Sequence, residues 1–290
     1  MFIVKYRKFF FVLSSISIAL SLYAIVVKGF NAGIDFKGGS ISEVTYDKRP
    51  DVETLKAALD KAGFPDARIQ MAGDTDMTLK TKTLTEADHQ KLLSALTVNG
   101  TLKVEEKHFS SIGPTIGAEL RSKAWIAVIL VVLGIMLFIA YAFRKVTGPI
   151  SSWKYGMVTA LTLFHDVIVP AGVFVWLGKE VDSLFVVALL SIMGVSVHDT
   201  IVVFDRIREN LKLRISNDFE TTVGKSLAET FTRSVNTSLT VMLVLAALYF
   251  FGPATTKDFS MILWIGVFVG TYSSIFIASP LLVVLEKRQK

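Results

Sequence analysis

Six stretches of the chain are apolar over long distances, and the polar positions gather between them. The runs cover residues 9–27, 123–143, 155–177, 184–204, 235–251 and 259–285. A helix needs about 20 apolar residues to cross the hydrocarbon core of a bilayer, so each run is predicted as a membrane span. The first follows Lys5, Arg7 and Lys8. A basic start before an apolar run also describes a cleaved leader, but this run is long and no small-residue cleavage site follows it, which predicts a retained span.

Residues 28–122 are patterned differently. Strand-like alternation covers 41–46, 67–71, 77–82 and 101–109, and helical spacing covers 51–62 and 85–96. Gly63 is placed to stop the first of these helices, Thr85 to cap the second, and Gly73-Asp74 to turn between two strands. The order β-α-β-β-α-β predicts a ferredoxin-like α+β domain. The expected fold is therefore an α-helical membrane protein with six transmembrane helices and an extracytoplasmic α+β domain between the first and second.

Charge sets the expected orientation. Bases flank alternate loops: Lys5, Arg7 and Lys8; Arg144, Lys145 and Lys154; Arg206, Arg208, Lys212, Arg214 and Lys225; Lys287, Arg288 and Lys290. The two short loops on the other side hold Lys179 and Lys257, each beside an acid. The positive-inside rule then makes residues 1–8, the amphipathic stretch 205–234 and the tail 286–290 cytoplasmic, in a cell's inner membrane. For 205–225 the bases suit a helix lying on anionic lipid, or contact with a partner, and both readings stay open.

Composition agrees with a membrane protein. Of 290 residues 52% are hydrophobic and 19% charged, and the mean hydropathy is +0.53. The net charge of +6 is explained by loop bases, with no need of nucleic acid. There is no cysteine, and the four histidines carry no metal-ligand spacing.

Polar residues inside a bilayer are costly and usually face a bundle interior. In span four, Ser191, Gly194, His198 and Asp199 fall on one broad face. In span five, Arg233, Asn236, Thr237 and Thr240 recur at helical spacing and predict an inward polar stripe. In span three, Thr159, Thr162 and Asp166 share a face beside His165. Asp199 either stays paired with Arg233 or with hydroxyls, or gains and loses a proton, with His198 as a second titratable group. Asp166 and His165 serve either helix packing or a share in the same path.

Two segments carry a resemblance. GVSVHDTIVVFDRIREN, from Gly194 to Asn210, is similar to the fourth-span signature of the SecF family, including Asp205, Arg206, Arg208, Glu209 and Asn210. GIDFKGG, from Gly33 through Asp35, Phe36 and Gly38 to Gly39, resembles the motif after the first span in SecD and SecF. SIGPTIGAEL from Ser111 and FTRSVNTSLT from Phe231 resemble the start of the second span and the fifth span. The resemblance implies membership of the resistance-nodulation-division superfamily and proton-motive-force-driven assistance to protein export. It implies SecD, the SecYEG translocon, YajC and a preprotein as partners. It places the family's membrane aspartate on Asp199 and its fifth-span arginine on Arg233. His198 stands where the family usually has Asn. The glycines also have a plainer role, as tight turns where a helix leaves the membrane, and no Gly-Lys-Ser/Thr follows to cradle phosphate.

Two other classes stay open: half of a small-molecule or lipid exporter of the same superfamily, and a non-transporting scaffold. No covalent catalysis and no nucleotide, metal or organic cofactor is expected. An intramembrane protease would need two aspartates in G-x-G-D-like settings or a Ser/His pair, and the chain offers neither.

Overall fold

The computed structural model describes residues 2–72, 75–98, 100–144 and 150–288. The expected turn at Gly73-Asp74 and the flanking bases Lys145 and Lys290 lie outside the described residues. Among those described, six helices are long and apolar enough to cross a membrane. They are TM1 (Arg7–Lys28), TM2 (Pro114–Ala142), TM3 (Ser152–Trp176), TM4 (Ser183–Lys212), TM5 (Phe219–Phe251) and TM6. TM6 runs through Ala254–Ser273, a π-helical turn at Ser274–Ala278, and Ser279–Lys287. Within the wider turn Ser279 Oγ donates to the Ser274 carbonyl at 3.5 Å.

The chain divides into two compact units: 2–31 with 126–288, and 32–125. In the membrane unit, TM3, TM4 and TM6 form the interior; half or more of each apolar stretch is buried, against 6% for TM2. Tyr155 and Phe204, whose rings lie 5.2 Å apart, anchor the core with Ile207, Ala278 and Leu282. Small residues let the helices approach. A side chain on Gly266 would collide with Ile192 of TM4, and one on Gly172 with Ser21 of TM1.

Two predicted boundaries need correction. TM2 was expected over 123–143, but its helix starts at Pro114, inside the stretch assigned to the polar domain. Proline suits the first helical position, and the residues after it are good helix formers. The stretch 205–234 is not one separate element but is divided between two long helices. TM4 continues to Lys212 and TM5 begins at Phe219, capped by Asp218, whose Oδ2 accepts from the Thr221 amide at 2.8 Å. These helices hold 30 and 33 residues, about 45 and 50 Å at about 1.5 Å per residue. A hydrocarbon core of about 30 Å leaves several turns of each outside.

The second unit contains β1 (Gly39–Tyr46), α1 (Val52–Lys61), β2 (Arg68–Ala72), β3 (Asp76–Thr81), α2 (Glu86–Leu96) and β4 (Val104–Ile112). The sheet order is β2-β3-β1-β4, with every neighbouring pair antiparallel. Thr85 caps α2, its hydroxyl accepting from the Asp88 amide at 3.3 Å. Val44, Tyr46, Met77 and Leu79 from the sheet meet Leu55, Leu59, Leu92 and Leu96 from the helices in a closed core.

Candidate functional site

TM6 organises the interior through four consecutive hydroxyl-bearing residues, Thr271 to Ser274, each reaching another helix. Thr271 Oγ1 lies 2.5 Å from Ser238 Oγ of TM5 and 3.5 Å from Asp199 Oδ2 of TM4. Tyr272 Oη donates to the Phe10 carbonyl of TM1 at 3.1 Å. Ser273 Oγ donates to Asp166 Oδ2 of TM3 at 2.7 Å. Ser274 Oγ lies 2.8 Å from Thr200 Oγ1 of TM4.

Asp199 is 4% exposed. Its Oδ2 also accepts from Ser238 Oγ at 3.1 Å. Both partners are neutral hydroxyls, which can donate to a carboxylate or accept from a carboxylic acid. The contacts to Oδ2 therefore suit either protonation state. Asp166 is fully buried. His165 Nδ1 lies 2.9 Å from its Oδ1, and Ser196 Oγ of TM4 donates to Oδ2 at 2.5 Å. Among the described residues, neither carboxylate forms an ion pair with a lysine or arginine.

The structure separates residues that the sequence grouped together. Arg233, Asn236, Thr237 and Thr240 lie on the exposed side of TM5, while Thr230, Ser234 and Ser238 face inward. In the isolated chain the predicted stripe is therefore exposed. Polarity was read from the strongest groups, whereas the buried side carries small hydroxyls; Thr230 Oγ1 donates to the Ser226 carbonyl of its own helix at 2.9 Å and Ser238 Oγ to Asp199 of TM4. His198 is exposed with Ser191 and Gly194 while Asp199 is buried, because successive helical residues point about 100° apart. Ser196, Ser238, Thr271 and Ser273 were missed. The available signal was Thr271-Tyr272-Ser273-Ser274, a polar interruption in an apolar run.

The signature residues have local roles. Asn210 is buried, and its Nδ2 donates to Ser226 Oγ at 3.0 Å and Glu229 Oε2 at 2.8 Å. Arg206 Nε donates to Glu229 Oε2 at 2.6 Å and its Nη1 to Glu209 Oε2 at 2.6 Å. Arg208 pairs with Asp205. Together these bind the extended end of TM4 to the start of TM5. In the glycine motif, Asp35 and buried Phe36 lie in a helical turn, Ile34–Lys37, which Gly33 precedes. Gly38 has φ +81, and a side chain there would meet the Pro114 nitrogen at 2.9 Å. Gly39 has φ +144 and approaches the Thr81 carbonyl. The motif is a close-packed backbone crossing.

A six-helix membrane unit enclosing two buried carboxylates, joined to a small α+β unit, defines a multi-pass membrane protein with a polar interior. The family model for protein export membrane protein SecD/SecF, C-terminal, matches residues 92–288, and the SecD/SecF GG motif matches residues 23–48. The protein translocase subunit SecF of Thermobaculum terrenum is 41% identical over 99% of this chain and 94% of its own length. That of Anaerolinea thermophila is 37% identical over 97% and 92%. The crystal structure of SecDF from Thermus thermophilus, described as a translocon-associated membrane protein, matches with a TM-score of 0.84 at 35% identity. This chain is covered there to 98% but spans only 38% of the SecDF chain. The chain belongs to the SecF family of protein-export membrane proteins, and its role is in protein export.

Proposed function

We propose that the chain is one half of an ion-driven accessory to protein export and that Asp199 carries the coupling proton. The observation that carries this reading is the Asp199 site: a buried membrane carboxylate held by Ser238 and Thr271, two neutral hydroxyls that suit both of its protonation states. Protonation and release change the charge of the interior where TM4, TM5 and TM6 meet, which biases their packing. A buried carboxylate favours protons over sodium ions as the coupling species.

The partner half is SecD. In the SecDF relatives a longer single chain includes a SecF-like portion. Ser191, Gly194 and His198 on TM4, with Arg233, Asn236, Thr237 and Thr240 on TM5, are exposed in the isolated chain. Hydrocarbon would penalise these groups if they stayed uncovered. SecD covers this face, and Arg233 and His198 act on the proton path from the shared interface. SecYEG is the translocon served, YajC an additional subunit, and unfolded preprotein the cargo. The α+β unit has the strand order of a ferredoxin-like domain and works outside the membrane, with both chain ends cytoplasmic, because the loop bases favour that orientation. No covalent chemistry is involved.

The test of the partner face is cross-linking. Cysteines placed at Asn236 and Thr240 should cross-link to co-expressed SecD, and cysteines on the TM2 residues Leu130 and Leu137 should not. Equal labelling from both helices would refute the assignment of the face.

A further inference from the structure

Asp166 takes no part in the mechanism above, yet it is the carboxylate most completely enclosed by the bundle. Three groups from three helices converge on it. His165 comes from its own helix, Ser196 from TM4 and Ser273 from TM6, and Tyr272 places its ring 6.1 Å from that of His165. A packing role would need one good hydrogen bond. The site instead provides a titratable base on Oδ1 and two reversible hydroxyls on Oδ2. We infer that Asp166 and His165 form a second proton-carrying site within this chain, resting on the reading of Asp199 as the first.

The chemistry balances simply. An arriving proton forms one O–H bond on the Asp166 carboxylate, and the Ser196 or Ser273 hydroxyl turns from donor to acceptor. Release breaks that bond and reverses the hydroxyl. His165 Nδ1, 2.9 Å from Oδ1, stays within hydrogen-bond reach of the group. The titratable groups around the site are His165 on TM3, Tyr272 on TM6 and Asp199 on TM4. TM1 packs against TM3 and brings Ser14, whose Oγ lies 3.1 Å from Tyr272 Oη. No Lys, Arg, Asp, Glu or His occurs between Phe9 and Val27 of TM1.

Two further observations tie the site to the first. Ser196 and Asp199 are three residues apart on TM4 and so neighbours on its surface, and Thr271 and Ser273, two residues apart on TM6, serve the two carboxylates. The π-helical turn starts directly after Ser273. Such turns recur at functional sites, where a helix departs from regular hydrogen bonding.

The test uses the full chain in lipid vesicles, with infrared difference spectra of the carboxyl C=O region between about pH 5 and about pH 8, the range where histidine changes charge. Wild type, Asp166→Asn and Asp199→Asn are compared, with export measured in cells carrying the same variants. The expected result is two titrating bands in wild type, one lost in each variant. Export should fall about tenfold or more in Asp166→Asn at normal membrane level, with Asp166→Glu restoring part of it. If Asp166→Asn does not accumulate, Ser273→Ala keeps the carboxyl and should displace its band. An Asp166 band that never changes, while Asp199 titrates and its variant fails in export, overturns the second site and leaves the first standing. A titrating Asp166 beside a fixed Asp199 upholds the second site and overturns the first.

Discussion

The seam between TM4 and TM6 should be intolerant of one methyl group at Gly266. A Cβ built there lies 2.2 Å from Ile192 Cδ1, 2.3 Å from Cγ1 and 3.0 Å from Cγ2. Carbon atoms in contact prefer about 3.5–4.0 Å, so the helices must part by more than about 1 Å or Ile192 must move. Ile192 is 1% exposed and β-branched, with a strongly restricted rotamer in a helix. Overpacking of this kind costs about 1–3 kcal/mol. Alanine recovers at most about 1 kcal/mol of helix propensity over glycine, so the collision should win. Ile192→Ala alone should cost about 2–5 kcal/mol by opening a cavity. In the double variant the new methyl sits in that space, and the two losses should fall short of their sum by about 1–3 kcal/mol. Reversible denaturation of the purified chain in mixed micelles measures all three variants. Additivity within about 0.5 kcal/mol would refute the direct contact and with it the seam that aligns Thr271 and Ser273 with their carboxylates.

Three other outcomes are expected. Gly38→Ala should destabilise the polar unit by more than Gly63→Ala, read as the difference in thermal midpoints; both sites have positive φ, but only Gly38 also meets the Pro114 backbone at 2.9 Å, whereas Gly63 faces open space. Burial of Tyr46 pushes its hydroxyl up to about 12. The unfolded tyrosine ionises near about 10, so the polar unit should keep this contribution below about pH 10 and lose it as pH rises towards 12, checked by circular dichroism against a Tyr46→Phe control. Asn210→Ala should cost about 1–3 kcal/mol, because it removes a donor to both Ser226 and Glu229, and limited proteolysis should then cut near the TM4–TM5 connection.

The spans were legible because crossing a bilayer demands about 20 apolar residues and nothing else in the chain is so long. Strands and helices of residues 28–122 were legible from alternation and from caps such as Thr85. Helix ends were less so. Neither Pro114 nor Phe219 begins an apolar stretch, since helices can continue past the bilayer with ordinary polar residues. The faces of TM4 and TM5 were the real difficulty. Asp199 and His198 are adjacent in sequence, yet one is buried and the other exposed, and Arg233 outranks Ser234 and Ser238 on any polarity scale. Which hydroxyls meet which carboxylate depends on how TM6 is seated on TM3 and TM4. That seating is set by Gly266 against Ile192 and Gly270 against Ser196, contacts between residues far apart in the chain.

The central claim is that Asp199 works by changing its protonation. Its direct test is protein export in cells depleted of the native protein and complemented with wild type or Asp199→Asn, with membrane levels checked. The amide keeps the shape and can still bond to Ser238 and Thr271, but it cannot titrate. The account predicts normal membrane accumulation with export lost. Export at the wild-type rate would contradict it and leave Asp199 as a structural residue of the bundle.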